Sequence, residues 1–206
     1  MKYIFCAAAP GSKWSSLIKN IYHSPDVDRS DYSDARTYWH DASGTYDLMH
    51  LGVYFDPGME FGDWFDQLDQ HTREECEAEF DRPFSGTGVR IVKSHVFAHH
   101  IDFIKRTWPD CPIIMAHRSD DACLGWWVKC GHFDITYPDY HKYYVDLKHM
   151  AGHIQRQNRD ILSAWRRHSG TTPKNNQELS RTLGIDLPPV EYQQDYKKNN
   201  IKVMVI

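Results

Sequence analysis

Three short stretches of this chain carry side chains whose types and spacing can do chemistry. Arg90-Ile91-Val92-Lys93-Ser94-His95 ends an apolar run with a cation and an imidazole two positions apart. In an extended chain both side chains project to the same side. A neutral His95 suits removal of a proton from an attacking hydroxyl, since an unperturbed imidazole titrates at about pH 6.5. Lys93 suits stabilisation of charge on a bridging or transferred group. The competing assignment is a surface Lys and a His that caps the following helix.

The second stretch is Ala9-Pro10-Gly11-Ser12-Lys13-Trp14-Ser15-Ser16. Backbone N–H groups of Gly11, Ser12 and Lys13 can point at an anion, the helix that begins there adds the positive end of its dipole, and Lys13, Ser15 and Ser16 supply donors. This suits a phosphate or a phosphosulfate. The stretch does not match GxxxxGK[ST], so it is no Walker A loop, and a plain strand-to-helix turn is the alternative. The third stretch, Ile113-Ile114-Met115-Ala116-His117-Arg118, ends an apolar run in a guanidinium fork that can grip a phosphate at two points. A salt bridge from Arg118 to Asp120 or Asp121 competes with that role.

The elements that must position these groups follow from hydrophobic periodicity. Tyr3 to Ala8 reads as a strand, followed by Trp14, Leu17, Ile18 and Ile21 at helical spacing. Ser24 to about Asp56 reads mostly as loops over one face, with Tyr46 to Phe55 extended. From Pro57, the residues Phe61, Trp64, Phe65 and Leu68 form one helical stripe that the charged run Arg73 to Glu79 continues. Val89 to Lys93 is a strand, Ile101, Ile104 and Trp108 mark a helix ended by Pro109, and Pro112 to Ala116 is a strand again. A helix opens at Asp120 or Asp121 and ends near Gly131. The longest helix is expected over about Tyr143 to Arg167, its apolar stripe interrupted only by Asn158. A short helix from Gln177 to Leu183 reaches Gly184, and the tail IKVMVI adds an edge strand.

Strands alternating with helices predict an α/β fold with three layers, a mainly parallel central sheet between flanking helices. Ligands of such sheets sit at the carboxyl ends of the strands, where residues 9 to 16, 93 to 95 and 117 to 118 all fall.

The 206 residues suit one domain over 1–206. Against 24 Lys and Arg stand 28 Asp and Glu, and this net charge of -4 leaves no broad footprint for a nucleic-acid backbone. The five cysteines are scattered without a CxxC pair, which fits reduced thiols in a cytoplasm. No stretch approaches the roughly 20 apolar residues of a membrane span, and the N-terminal apolar run is too short for a signal peptide. The 13 His raise the question of a metal, but His99 and His100 are adjacent and point to different sides of a helix, so no metal site is expected.

In their order along the chain, the three stretches resemble the sulfotransferase family that uses 3′-phosphoadenylyl sulfate. That family carries P-[KR]-S-G-T-T and then Trp or Leu after its first strand, K-T-H at a second strand end, and an apolar strand, Arg and a later Ser in a third. Here these are Pro10-Gly11-Ser12-Lys13-Trp14-Ser15-Ser16, Lys93-Ser94-His95 and IIMAHRSDDACLGWW, and the resemblance covers residues 1 to 22 and 88 to 130. It implies a P-loop NTPase-like architecture. It also implies that residues Gly11, Ser12, Lys13, Trp14, Ser15 and Ser16 form the 5′-phosphosulfate loop, that Arg118 holds the 3′-phosphate, that His95 is the catalytic base, and that Lys93 and Lys13 are catalytic cations. The family's later Ser falls on Gly125 if one residue is deleted, or on Trp126 without a gap. Gly11 stands where the family has Lys or Arg, and Lys13 stands at its Gly position. The expected reaction is transfer of a sulfuryl group to a hydroxyl or amine of a small-molecule, glycan or peptide acceptor, without a metal and with 3′-phosphoadenosine 5′-phosphate as product. A degenerate nucleotide- or partner-binding relative and a P-loop kinase-like phosphotransferase are the alternatives.

Overall fold

A computed structural model describes residues 1–31, 51–134, 140–188 and 198–206. Four strands form one sheet: β1 (Tyr3–Ala8), β2 (Arg90–Ser94), β3 (Ile113–His117) and β4 (Lys202–Val205), in the order β2-β1-β3-β4. β1 pairs in parallel with β2 and β3, while β4 runs antiparallel to β3 at the edge. The protein is therefore mixed α/β, with a mostly parallel sheet flanked by helices.

Alternation along β1 divides its side chains between two packed faces. Tyr3, Phe5 and Ala7 join Val92, Ile113 and Met115 on one face, against Phe80 of α2 (Arg73–Asp81), Phe97, Ile101 and Ile104 of α3 (Phe97–Thr107), and Ile161 and Ala164 of α6 (Leu147–Arg167). Ile4, Cys6 and Ala8 join Ile91, Ile114 and Ala116 on the other, against Leu17, Ile18 and Ile21 of α1 (Ser15–Tyr22) and Leu179 and Leu183 of α7 (Asn176–Leu183). Phe5 lies 5.2 to 5.9 Å from the rings of Trp108, Phe80, Tyr3 and Phe97. Such pairs add about 0.5–1.5 kcal/mol each beyond the burial of their surface. A strand buried on both faces needs an unbroken apolar run, and β1 has one, with every residue buried.

The differences from expectation have local causes. The stripe from Phe61 does not continue into the acidic run: a 3-10 helix over Phe65–Gln70 ends at His71, and Thr72 starts α2 afresh with a capping box. Its hydroxyl accepts from the Glu75 amide while the Glu75 carboxylate accepts from the Thr72 amide, which satisfies two donors the helix start leaves over. The long helix likewise begins later than Tyr143. Tyr140–Tyr144 forms a separate α5, Val145 takes φ +65, and Asp146 caps α6 by accepting from the His149 amide. The expected extended run Tyr46 to Phe55 is described only from Leu51. There it lies beside β2 without joining the sheet as a strand, the Phe55 amide donating to the Lys93 carbonyl. Residues 46 to 50 fall outside the described residues.

Candidate functional site at the carboxyl ends of three strands

β1, β2 and β3 end at Ala8, Ser94 and His117, so the three chemistry-bearing stretches leave the sheet side by side. The chain goes from β1 to β2 on one side and then returns to β3 on the other, which makes the end of β1 the topological switch point of the parallel part.

The stretch after β1 turns twice through left-handed backbone. Gly11 has φ +74, and a Cβ there would lie 2.1 Å from the carbonyl oxygen of Cys123 in α4 (Asp120–Lys129), so the close approach of loop and helix requires glycine. Lys13 has φ +60, a conformation that costs a side-chain-bearing residue about 1–2 kcal/mol. The backbone at position 13 is thus of the kind glycine prefers, although a lysine occupies it. The Lys13 amine donates to Asn199 at 3.0 Å and sits 3.5 Å above the Trp126 ring. Ser12 is fully buried with its hydroxyl unpartnered. The half-buried Ser15 and Ser16 form the first turn of α1, where backbone N–H groups have no partner within the helix, and no side chain caps that end.

His95 follows β2 and is 8% exposed. Its Nδ1 lies 2.5 Å from the Ala8 carbonyl oxygen. A carbonyl only accepts, so Nδ1 carries a proton, and in the neutral ring this leaves Nε2 with its lone pair, the tautomer a base requires. Trp14 is 4% exposed and lies 4.9 Å from the His95 ring, tilted by 32°. As placed, it buttresses the imidazole, and it also packs at 5.9 Å on Tyr54. Lys93 is buried at 2% exposure, its ammonium donating to the Leu51 carbonyl and lying 4.4 Å over the Tyr54 ring. Tyr54 also lies 5.9 Å from His95, so Lys93 and His95 flank one ring, as their two-residue spacing predicts. Close by in charge, Asp31 accepts from the Tyr22 hydroxyl at 2.5 Å and the Val53 amide at 3.1 Å. Burial raises its pKa, while the Tyr22 bond and the Lys93 charge hold it down.

Arg118 turns its guanidinium onto the first loop, Nη1 donating to the Gly11 carbonyl at 3.2 Å, and its Nε is buried without a partner. Asp120 is engaged elsewhere: Asn158 of α6 donates at 2.7 Å to its carboxylate and at 2.8 Å to the Arg118 carbonyl. That tie accounts for Asn158 in the α6 stripe, beside which Gln157 is also buried. Gly125 lies exposed on α4 with open space where a Cβ would stand, and Trp126 beside it is half-buried under Lys13.

Asp56 was absent from the sequence expectations. It is 2% exposed, and its Oδ1 accepts from the Ser94 hydroxyl at 2.6 Å and the amides of His95 at 2.7 Å and Val96 at 3.3 Å. It caps α3 from outside, since no side chain of that helix's own caps it. A cap 40 residues away leaves no local signature, whereas Asn158 had one in the broken stripe. Among the described residues, Ser12, Asp56, Arg118, Gln157 and Asn158 all keep buried polar atoms without a partner. Folded proteins pair nearly all such atoms, and Asn20, Asp28 and Trp127 keep others beyond this site.

No protein-family model, curated protein or solved structure matches this chain. Among the described residues, no group of three or more His, Cys, Asp or Glu could hold a metal ion, and no helix is long and apolar enough to cross a membrane. His99 and His100 point apart, to Asp160 at 2.7 Å and Asp69 at 3.5 Å.

Proposed function

We propose that this chain is a sulfotransferase of P-loop-like architecture that moves a sulfuryl group from 3′-phosphoadenylyl sulfate to a hydroxyl or amine of a small-molecule, glycan or peptide acceptor. The observation that carries this reading is the His95–Ala8 contact, which fixes a base tautomer at the strand end next to an anion-ready loop. The left-handed backbone of Lys13 adds to it, because it stands where the family resemblance calls for glycine.

The donor set fits a phosphorylated nucleotide. Ser12 Oγ, the first-turn amides at Ser15 and Ser16 and the unpartnered Nε of Arg118 suit phosphate oxygens. In this reading Arg118 holds the 3′-phosphate, and Gly125 and Trp126 flank the nucleotide. Bound there, the nucleotide supplies a sulfuryl group on a mixed anhydride, whose transfer resembles phosphoryl transfer with less charge to neutralise. His95 Nε2 takes the proton of the acceptor hydroxyl. Lys93 holds a positive charge beside that base for the departing phosphate, and Trp14 keeps water from one face of the imidazole. Lys13 contributes a second positive charge at the loop.

Lys13 also favours a second reading, a nucleotide-binding relative without transfer activity, because Trp126 and Asn199 take up its amine. A kinase-like phosphotransferase would need the Asp120-Asp121 pair for a metal, and it draws less support because the Asp120 carboxylate already accepts from Asn158. Calorimetric titration with 3′-phosphoadenosine 5′-phosphate separates these readings. Wild type binds, Arg118→Ala binds at least tenfold more weakly, and Lys13→Ala falls between them. No binding by wild type refutes the nucleotide assignment, and equal binding by all three refutes the residue assignment. Binding without sulfuryl transfer to any acceptor in a screen selects the second reading.

A further inference from the structure

From the contacts of its carboxylate, we infer that Asp56 is a positioning residue for His95, acting through the turn that joins β2 to α3. The inference rests on the reading of His95 as the base. β2 runs straight to Ser94, and the chain must then bend within two residues to enter α3 at Phe97. One oxygen of Asp56 accepts from Ser94, His95 and Val96 in turn, which spans the whole bend. Two backbone bonds hold the segment that carries it, one to β2 and one closing a turn. The Phe55 amide donates to the Lys93 carbonyl at 3.0 Å, and the Asp56 carbonyl accepts from the Met59 amide at 2.9 Å.

The consequence for the imidazole is geometric. His95 reaches Ala8 only while its Cα stays level with the end of β1, one step past the Ala7–Ser94 pair. Released from Asp56, the 94–96 turn is free to relax, the Nδ1–Ala8 bond lengthens, and the ring loses the contact that selects its tautomer. The same segment supplies the Tyr54 ring between His95 and Lys93 and the Leu51 carbonyl under the Lys93 ammonium. A residue needed only as a helix cap ordinarily sits at the helix's own start, as Asp146 does for α6. Here a carboxylate is instead buried with its second oxygen, Oδ2, unpartnered, and its three bonds converge on the residues around the base. The α3 N-terminus is the compensating positive end that keeps it there.

The test uses the full chain labelled with 15N. In wild type, imidazole nitrogen shifts of His95 report the Nδ1–H tautomer, and the amides of His95 and Val96 exchange slowly with solvent. Asp56→Ala gives mixed tautomers and a fall in kcat of at least tenfold with the KM for nucleotide within about threefold. Asp56→Asn, whose amide oxygen accepts the same bonds, restores the wild-type tautomer and most of kcat. A wild-type tautomer in Asp56→Ala overturns the inference. So does fast exchange of the His95 and Val96 amides in wild type, which needs no variant to fold. If wild type transfers no sulfuryl group, the reaction assignment falls, while the tautomer and exchange measurements still decide whether Asp56 positions His95.

Discussion

Nδ1 of His95 and the carbonyl oxygen of Ala8 lie 2.5 Å apart, joining the residue after β2 to the last residue of β1. Parallel pairing of β1 with β2 brings the two together, since the register Cys6↔Lys93 and Ala7↔Ser94 ends one residue short of each. The backbone of one strand thereby chooses the protonation pattern of a side chain on the next. His95→Ala is expected to lower sulfuryl transfer by about 10²–10⁴-fold, the usual contribution of a positioned base. Nucleotide binding should stay within about threefold of wild type. An assay of transfer beside calorimetry checks both.

Gly11 bears on stability more than on chemistry. Its φ of +74 and the 2.1 Å separation a Cβ would have from the Cys123 carbonyl leave no place for a methyl group. Gly11→Ala should cost more than about 2 kcal/mol, from left-handed strain and a backbone clash together. Urea unfolding measures it. The companion Lys13→Gly should leave stability equal or higher, because glycine relieves the φ of +60 at that position.

Asn158 joins α6 to the start of α4 through the Arg118 carbonyl and the Asp120 carboxylate. Asn158→Leu restores the apolar stripe that the α6 sequence otherwise keeps, yet it strands a carbonyl and a carboxylate. The expected loss is about 1–3 kcal/mol by urea unfolding. Nucleotide binding should weaken as well, because Arg118 loses its backbone anchor.

His153 gives the fold an acid-sensitive slope. Burial lowers its pKa from 6.5 to about 4, helped by the charges of Arg156, His99 and His149. The unfolded chain therefore binds a proton that the native chain refuses between these values. Stability contributed by the neutral ring is full above about pH 6.5 and is lost as pH falls towards about 4. For a half-buried ring the loss is about 1–2 kcal/mol after allowing for solvent screening. His100 and His117, also lowered by burial, add to the slope with the same sign. Urea unfolding at about pH 7 and pH 4.5 should show a smaller difference in His153→Phe, which keeps the ring packing against Tyr143 and Tyr144.

Much of this architecture is legible in the residues. Tyr3 to Ala8 is β1 to the residue, and β2, β3, β4 and α7 lie within a residue or so of their apolar patterns. Buried parallel strands need continuous apolar runs, and an amphipathic helix shows its stripe. The breaks were harder to see. Val145 leaves helical backbone and Asp146 restarts it, yet the apolar spacing passes through both without a gap. Periodicity records which faces are buried, not where hydrogen-bond ladders stop. Asp146 before the run and Thr72 with Glu75 were the available signals, since both are cap residues at helix starts.

By itself the sequence determined that Lys93, His95, Arg118 and the Gly11–Ser16 loop leave an α/β sheet from the carboxyl ends of its strands. That follows from the order of apolar runs and the helical crossovers that parallel strands impose. Tertiary structure alone decided what surrounds them: Asp56 across the β2–α3 turn, Tyr54 between the imidazole and the ammonium, Asn158 behind Arg118, and Cys123 against Gly11. Each is a contact between a side chain or a carbonyl and residues far along the chain. Such contacts follow no period, so only the packed fold reveals which acid meets which turn.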